Sequence, residues 1–536
     1  MRKTTAAAAA SGAHRNPGPV TEFVYVMRRL SRTLVLSALA LTALAAPARA
    51  ASDLLIGIAD DGVTQRSPAL GATTIPQWRV VGADVARVMV IWNYVAPGRD
   101  AVKPPSGFHA SDPNDPAYFW DDIDRTIAQL RLSGIRPIIT VTGPAPVWGS
   151  QVPSLHKSRY KPDPAKFADF ATAVAARYAD ATDEYILWNE PNIDQWLQPQ
   201  SDCVNQRCTP AAPGIYRKIA NQAIPAIKRA DPGARVLFPA LAPGGAPVAK
   251  SRNLNLKPLP FLRALGCVDA KYHREHTSTY CRTGFTPVDG DGIAYHPHPI
   301  LSAPDQPNLD PDKASIADLP RLFAAVDAIQ KAGGFLHNGS KTAKFNFNFT
   351  EFGYETNPPD PVKGVTFAQQ SQYVQQSSYI AWRNPRVKML IQYLWRDDGL
   401  GVQKFTGWQS GLYRFDGREK PLRKAFPNPF WVDLPRGKPA ATIWGQVRPG
   451  DAAQVTVQTQ SPGAGGWNIL KTLTTNAMGY FSFQQTVTKP SSFRFRYTAP
   501  GVLRPDFTFG PSHLITSSAW TVKPLKARTS RSRHHR

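Results

Sequence analysis

The sequence predicts a (β/α)8 TIM barrel followed by a small C-terminal all-β sandwich. Three observations carry that expectation. From Leu54 to about Leu400, short β-branched runs alternate with amphipathic helical stretches. The apolar runs are eight in number, and their starts recur roughly every 30 to 60 residues, as strand–helix units of a barrel do. Past Phe426 the apolar pattern changes from helical spacing to strict alternation.

In chain order the strands are read at 54–59 (LLIGIA), 85–92 (VARVMVIW), 136–142 (RPIITVT), 184–189 (EYILWN), 235–240 (RVLFPA), 292–296 (GIAYH), 345–351 (FNFNFTE) and 388–395 (KMLIQYLW). Helices are read at 120–133, 163–178, 214–230, 316–332 and 367–383; in the first, Ile123, Ile127 and Leu130 recur at helical spacing. A doubly wound sheet is the alternative, but no glycine-rich phosphate loop follows the first strand. The segment 421–426 (PLRKAF) reads as the last barrel helix, which gives a barrel unit over 51–432. Over 438–523, runs such as ATIWGQV, AQVTVQTQ and SFRFRYTA are broken by PGD, PGAGG and NAMG, the texture of an Ig-like sandwich expected to be accessory to the barrel.

The chain has 536 residues, 42% hydrophobic and 19% charged, ordinary for a folded protein, and a formal net charge of +24. The charge is concentrated at the ends, with seven Lys/Arg against one Glu in residues 1–50 and six Lys/Arg with no acid from Lys523 to Arg536. Neither a dense basic stripe nor a recognised binding motif accompanies it, so the reading excludes nucleic acid as a partner. Residues 524–536 read as a disordered basic tail that offers contact to a cell wall or another polyanion. Residues 27–50 read as a signal peptide: a basic start at Met27, an apolar run from Thr33 to Ala46, and a small-x-small site at Ala48–Ala50. Met27 is then the natural start, and 1–26 a non-native or disordered extension. The expectation is a secreted monomer, with cell-surface attachment as a variant of it.

After export, disulfides are the natural state of the four cysteines. Of the three pairings they allow, the sequence neighbours are favoured: Cys203 with Cys208 and Cys267 with Cys281. A zinc site of Cys267, His273, His276 and Cys281 is the competing reading, though its spacing fits no standard zinc pattern.

Two glutamates carry the chemistry. Glu190 lies in Leu187-Trp-Asn-Glu-Pro-Asn192 at the end of the fourth strand, and Glu351 in Asn348-Phe-Thr-Glu-Phe-Gly353 at the end of the seventh. Barrels keep active residues at the C-terminal ends of their strands, and strands four and seven face each other across the mouth. Two carboxyls about 5 Å apart suit double displacement at an anomeric carbon. The ionised member raises the pKa of its neighbour, which then holds a proton to donate.

This combination resembles the clan A retaining glycoside hydrolases over residues 54 to about 430, most of all the cellulase-like family 5 and the β-xylosidase-like family 39. The resemblance implies Glu190 as acid/base, Glu351 as nucleophile, Asn189 as ligand of the sugar 2-hydroxyl, Arg87 as neighbour of the nucleophile and Trp395 as the aromatic platform. It implies no cofactor and no metal. Where the clan often shows His-x-Tyr after strand six, this chain has His296-Pro-His298, so His298 stands in the place of a tyrosine that bonds the nucleophile. Trp148 is read as a second sugar platform, while Trp92 and Trp196 are open between platform and core. Asp60 and Asp61 are open between a distal hydroxyl and solvated turns, and Glu355 reads as an ordinary loop residue. The function read from the whole is a secreted retaining hydrolase of O-glycosidic bonds in a polysaccharide, oligosaccharide or glycoside. A carbohydrate-binding surface protein with a catalytically weak barrel, and a transglycosylase using the same glutamates, are the alternatives.

Overall fold

The structure, a computed structural model, describes residues 50–205, 207–246, 251–282, 284–399, 407–501 and 511–524. The readings of 1–26, of most of 27–50 and of nearly all of the basic tail lie outside these residues. Eight parallel strands close into a barrel: β1 (Leu55–Ala59), β2 (Val85–Ile91), β3 (Arg136–Thr142), β4 (Glu184–Leu187), β5 (Arg235–Leu241), β6 (Gly292–Tyr295), β7 (Phe347–Phe352) and β8 (Val387–Tyr393). Closure is direct, because β1 pairs with β2 on one side and with β8 on the other, Leu55 opposite Met389. A doubly wound sheet has open edges, so this ring settles the alternative. Ala59, Val85, Ile138, Ile186, Leu237, Ala294, Met389 and Ile391 fill the interior below the mouth, each fully or almost fully buried.

Local sequence explains the helix starts. Pro68, Pro164, Pro258 and Pro421 each open a helix, a position where the missing N–H and fixed φ of proline fit. Asp163 caps the helix Pro164–Tyr178 by accepting from Ala165 N and Lys166 N, and Thr366 with Gln369 forms a capping box on Phe367–Trp382. The helix Pro68–Val80, with a proline in its interior and little amphipathic pattern, is absent from the sequence reading. Strands four and eight are shorter than read. Trp188 and Leu394 adopt φ of 69° and 72°, left-handed values that bulky residues rarely take and that end each strand.

Both cysteine pairs are disulfides, Cys203–Cys208 across the hairpin Ser201–Val204/Arg207–Pro210 and Cys267–Cys281. The bond between Cys267 and Cys281 removes two of the four ligands of the zinc reading. No helix of the described residues is long and apolar enough to cross a membrane.

The C-terminal sheets form a sandwich. Its first strand, Phe430–Asp433, pairs with Ala440–Gln446, so the sandwich begins inside the range read as barrel. Inward residues of one sheet (Phe430, Ile443, Phe481) pack on those of the other (Val455, Val457, Phe493, Phe495). The sandwich seals the N-terminal end of the barrel, opposite the mouth. Tyr480 OH donates to Leu54 O and Asn476 Nδ2 to Ser52 O, both just before β1. The fully buried Trp444 lies 5.9 Å, ring to ring, from both Tyr379 and Trp382 of the last long helix. Gly82, at φ 86°, faces the Arg448 side chain so closely that a Cβ there would collide with it. Trp444 and Tyr480 thus belong to the main barrel core. The two units share one core rather than merely adjoining. Trp444→Ala should therefore destabilise both together by about 3–5 kcal/mol. Thermal unfolding followed by circular dichroism should show one lowered transition, and a chain ending near Pro435 should fail to give a soluble folded barrel.

Candidate active site

The Trp188–Asn192 turn is held from both sides. Asn189 N donates to Thr142 Oγ1 at the end of β3, and Glu190 N to Ala240 O at the end of β5. Asn192 completes the fixing, with its amide bonded to both backbone groups of Ala242 and to Leu256 O. Glu190 itself has φ 40°, a strained value that persists only where the surroundings enforce it. Behind the turn the buried Trp188 ring lies on Gly143, where a Cβ would come within 2.6 Å of it.

The two glutamates meet across one imidazole. His296 Nδ1 lies 2.9 Å from Glu190 Oε1 and 3.7 Å from Glu351 Oε2, so these oxygens are separated by no more than the sum of those distances. The other ring nitrogen, Nε2, is 3.1 Å from Thr350 Oγ1. On the far side of Glu351, Arg87 Nη2 pairs with Oε1 at 2.6 Å, while Arg87 Nη1 donates to Asn189 Oδ1 at 3.1 Å. Arg87 reaches this point because the alternation along β2 sends it into the barrel one layer above Val85. Burial alone would raise the Glu351 carboxyl, but Arg87, His296 and His298 outweigh it and hold the group well below the usual carboxylate range. Glu190 is the more open of the two, its side chain 14% exposed against 8% for Glu351.

His298 sits where the resemblance expects a tyrosine. Its Nε2 is 3.6 Å from Glu351 Oε2, and its Nδ1 faces Gly353 O at 3.3 Å. A carbonyl only accepts, so that contact places a proton on Nδ1. Asp61 joins the group from the end of β1: burial raises its carboxyl, and the nearby Arg87 acts against that rise.

The tryptophans divide differently from the sequence reading. Trp148 is 2% exposed, donates its indole N–H to Pro97 O and packs on Trp92 and Phe108, so it is core and not a platform. Trp395 is 4% exposed between Trp78 and Tyr413. The left-handed Leu394 stands just before it, and the Trp395 ring packs on Trp78 of the helix Pro68–Val80. Trp92 is fully buried on Phe170, and Trp196 is half-buried against the core. Asp60 is structural as well, its carboxylate accepting from Val63 N, Trp395 N and Arg396 N and so tying β1 to β8. Glu355 is in a loop but buried, which raises its carboxyl.

Two aromatic residues at the site escape the sequence reading. Tyr393 follows Met389 and Ile391 on the inward face of β8, and burial followed by the charge of Glu351 keeps its phenol neutral. The half-buried Trp408 ring lies 5.1 Å from His298 and 5.5 Å from Tyr393. The inward alternation of β8 points to Tyr393; nothing local marks Trp408.

No family model and no curated protein matches the chain. Among solved structures it is similar to a family 39 glycoside hydrolase from the gut symbiont Bacteroides cellulosilyticus WH2, at 14% identity over 82% of each chain and a TM-score of 0.44. It is similar to a glucosidase from Croceicoccus marinus, at 12% identity over 82% of this chain and 94% of that one, TM-score 0.46. A third is xylanase 10B from Thermotoga petrophila RKU-1 in complex with xylobiose, at 13% identity over 69% and 92%, TM-score 0.41. At such identities and scores these likenesses carry no weight on activity, which rests on the site's own chemistry.

His296, His298 and Glu351 also bring three ligand-type atoms within 4.8 Å of one another. Their surroundings do not suit a cation. Both nitrogens of His296 already face partners, and a guanidinium sits 2.6 Å from Glu351. A metal there would meet Arg87 as a like charge.

Removing that guanidinium tests the electrostatics without any substrate. In Arg87→Met the Glu351 carboxyl stays buried and loses its strongest cation, so its pKa should rise from its depressed wild-type value. Titration of ¹³C-labelled glutamate carboxyls should show this. The depressed wild-type pKa contributes stability above the unfolded value that is lost as pH falls. The variant's stability deficit, about 3–5 kcal/mol at neutral pH, should therefore shrink in acid.

Proposed function

We propose that the chain is a secreted retaining glycoside hydrolase, with Glu351 as nucleophile and Glu190 as acid/base. One observation carries the reading: both carboxylates lie against the same His296 nitrogen, at 2.9 and 3.7 Å. The resulting bound on their separation only just reaches the lower edge of the roughly 6.5–9.5 Å between carboxyls of inverting enzymes, and it accommodates the roughly 5–5.5 Å of retaining ones.

The surroundings divide the labour. Glu351, kept ionised by Arg87 and the two histidines, attacks the anomeric carbon as the C–O bond to the leaving group breaks. Glu190 gives its proton to the departing oxygen. Esterification removes the charge of Glu351, so Glu190, now a carboxylate, takes a proton from water; the hydroxyl displaces Glu351 with a second inversion. His296 serves both states. Its Nδ1 accepts from a protonated Glu190 or donates to an ionised one, with Thr350 Oγ1 able to complement either tautomer. Asn189, its oxygen fixed by Arg87, has its amide N–H₂ left to bind a sugar hydroxyl. Trp408 and the neutral Tyr393 replace Trp148 and Trp395 as the aromatic wall. The substrate is an O-glycoside, whether polymer, oligomer or simple glycoside. Two disulfides agree with an extracellular location.

The test separates the glutamates by role. Glu351→Ala should lose turnover of every glycoside. Glu190→Ala should lose about 10²–10⁴-fold on substrates with poor leaving groups, yet still be glycosylated by an aryl glycoside whose phenol is acidic. Azide should then restore turnover and yield a glycosyl azide of retained configuration. A first-formed sugar of inverted configuration, or a Glu190→Ala enzyme with natural-substrate activity intact, sinks the mechanism.

A further inference from the structure

The chain past β8 holds a buried ion pair that the double displacement does not use. Lys420, just before the helix Pro421–Ala425, has a side chain 0% exposed and pairs with Asp397, 3% exposed, at 2.7 Å. An ammonium has three N–H donors, and here there are three acceptors: Asp397 Oδ1 at 2.7 Å, Thr356 Oγ1 at 2.9 Å and the backbone oxygen of Gln409 at 2.7 Å. Burial pulls the ammonium down to about 8 and pushes the Asp397 carboxyl up to about 6, so both are ionised near neutral pH.

Lys420 is one of several side chains that grip the same short segment. Gln409, Ser410 and Gly411 belong to no helix or strand, and Gln409 and Ser410 are fully buried. Buried backbone outside regular structure must find partners elsewhere. Each of the three carbonyls has a side-chain donor. Lys420 Nζ donates to Gln409 O, and Gln392 Nε2 of β8 to Ser410 O at 2.8 Å. Gln370 Nε2, from the helix Phe367–Trp382, donates to Ser410 O at 3.2 Å and Gly411 O at 3.3 Å. Gly411 N in turn donates to Asp397 Oδ1. An apolar pair in place of a buried ion pair is often as stable or more so, so stability alone does not call for Lys420 and Asp397. What they supply is direction, with donors aimed at fixed points.

The gripped segment lies against the site. A Cβ on Gly353, two residues past Glu351, would come within 2.9 Å of the Ser410 Cβ, and the Gly353 carbonyl is the one that His298 faces. The residue before the segment is Trp408. Its backbone is tied to Asp398 in both directions, Trp408 N donating to Oδ2 and Asp398 N to Trp408 O. Its ring lies 5.1 Å from His298 and 5.5 Å from Tyr393.

We propose that Lys420 and Gln370 are positioning residues, which fix Gln409–Gly411 and so seat the Trp408 ring against His298 and Tyr393. The inference rests on Trp408 as the aromatic wall of the glycosidase reading and deepens it, by assigning the placement of that wall to side chains outside the catalytic group.

The test uses the full chain labelled with 5-fluorotryptophan, in which Trp408→Phe identifies the Trp408 resonance among those of the thirteen tryptophans. Two variants loosen the segment. Lys420→Met/Asp397→Asn removes both charges and leaves neither unpaired, and Gln370→Met removes the grip on Ser410 and Gly411. In each, the Trp408 resonance should move or broaden while that of Trp444, at the opposite end of the barrel, stays in place. On an aryl glycoside kcat/KM should fall at least about tenfold, since a misplacement of about 1 Å can cost about 10²-fold. In a Trp408→Ala background the same substitutions should cost less than about twofold, because no ring is left to misplace. A merely structural role would lower both backgrounds alike and leave the Trp408 resonance of the folded variants where it was. An unmoved Trp408 resonance, losses that multiply with that of Trp408→Ala, or failure of both variants to fold overturns the positioning role. Failure of the glycosidase reading looks different. Wild type then turns over no glycoside, and the fluorine spectra, which need no turnover, still decide whether Lys420 and Gln370 seat the ring.

Discussion

Everything at the mouth of this barrel depends on one buried cation. Arg87 is 1% exposed, and placing a guanidinium there costs several kcal/mol in lost hydration. Glu351 and Asn189 offset that cost, and in doing so each is fixed: the carboxylate by a short ion pair, the amide by its oxygen. A single side chain from β2 thereby sets the charge of the residue at the end of β7 and the orientation of the one at the end of β4. Truncating it would leave a buried carboxylate with only imidazoles beside it, which explains why the group is built from three cation-capable side chains and not one.

The fold was legible because its signals are periodic. Eight apolar runs gave eight strands, and the ring order follows from barrel connectivity. The two glutamates, Asn189, His296 and His298 were legible for the same reason: each stands at or just past a strand's C-terminal end, where position in the sequence predicts position in space. Arg87, the third residue of β2, was legible through the resemblance. The tryptophans were not. Trp395 packs on Trp78 of a helix just past Leu394, whose left-handed φ interrupts the alternation of β8, and no sequence pattern announces a left-handed leucine. Trp148 and Trp408 both lie past the ends of their strands, where alternation no longer governs direction. The bounds of the sandwich were misread because its first strand, Phe430–Asp433, is too short for alternation to show.

The sandwich resolves a problem that the barrel poses. The mouth holds strained backbone at Trp188, Glu190 and Leu394, unfavourable to the folded state. The opposite end is closed by Trp444, Tyr480 and Arg448 with no comparable strain among their backbone angles. Stability and chemistry thus occupy opposite ends of the same cylinder, and the aromatic seal at one end offsets the conformational cost at the other.

The position of His296 has a consequence for observation. Its two nitrogens face groups that can each donate or accept, a glutamate on one side and a threonine hydroxyl on the other. A proton carried on Glu190 Oε1 is accepted by Nδ1, and its departure lets Nδ1 donate instead, with the imidazole's tautomer exchanged. The ¹⁵N resonances of this one ring form a built-in gauge, able to report in an intact, unmodified protein whether Glu190 carries a proton.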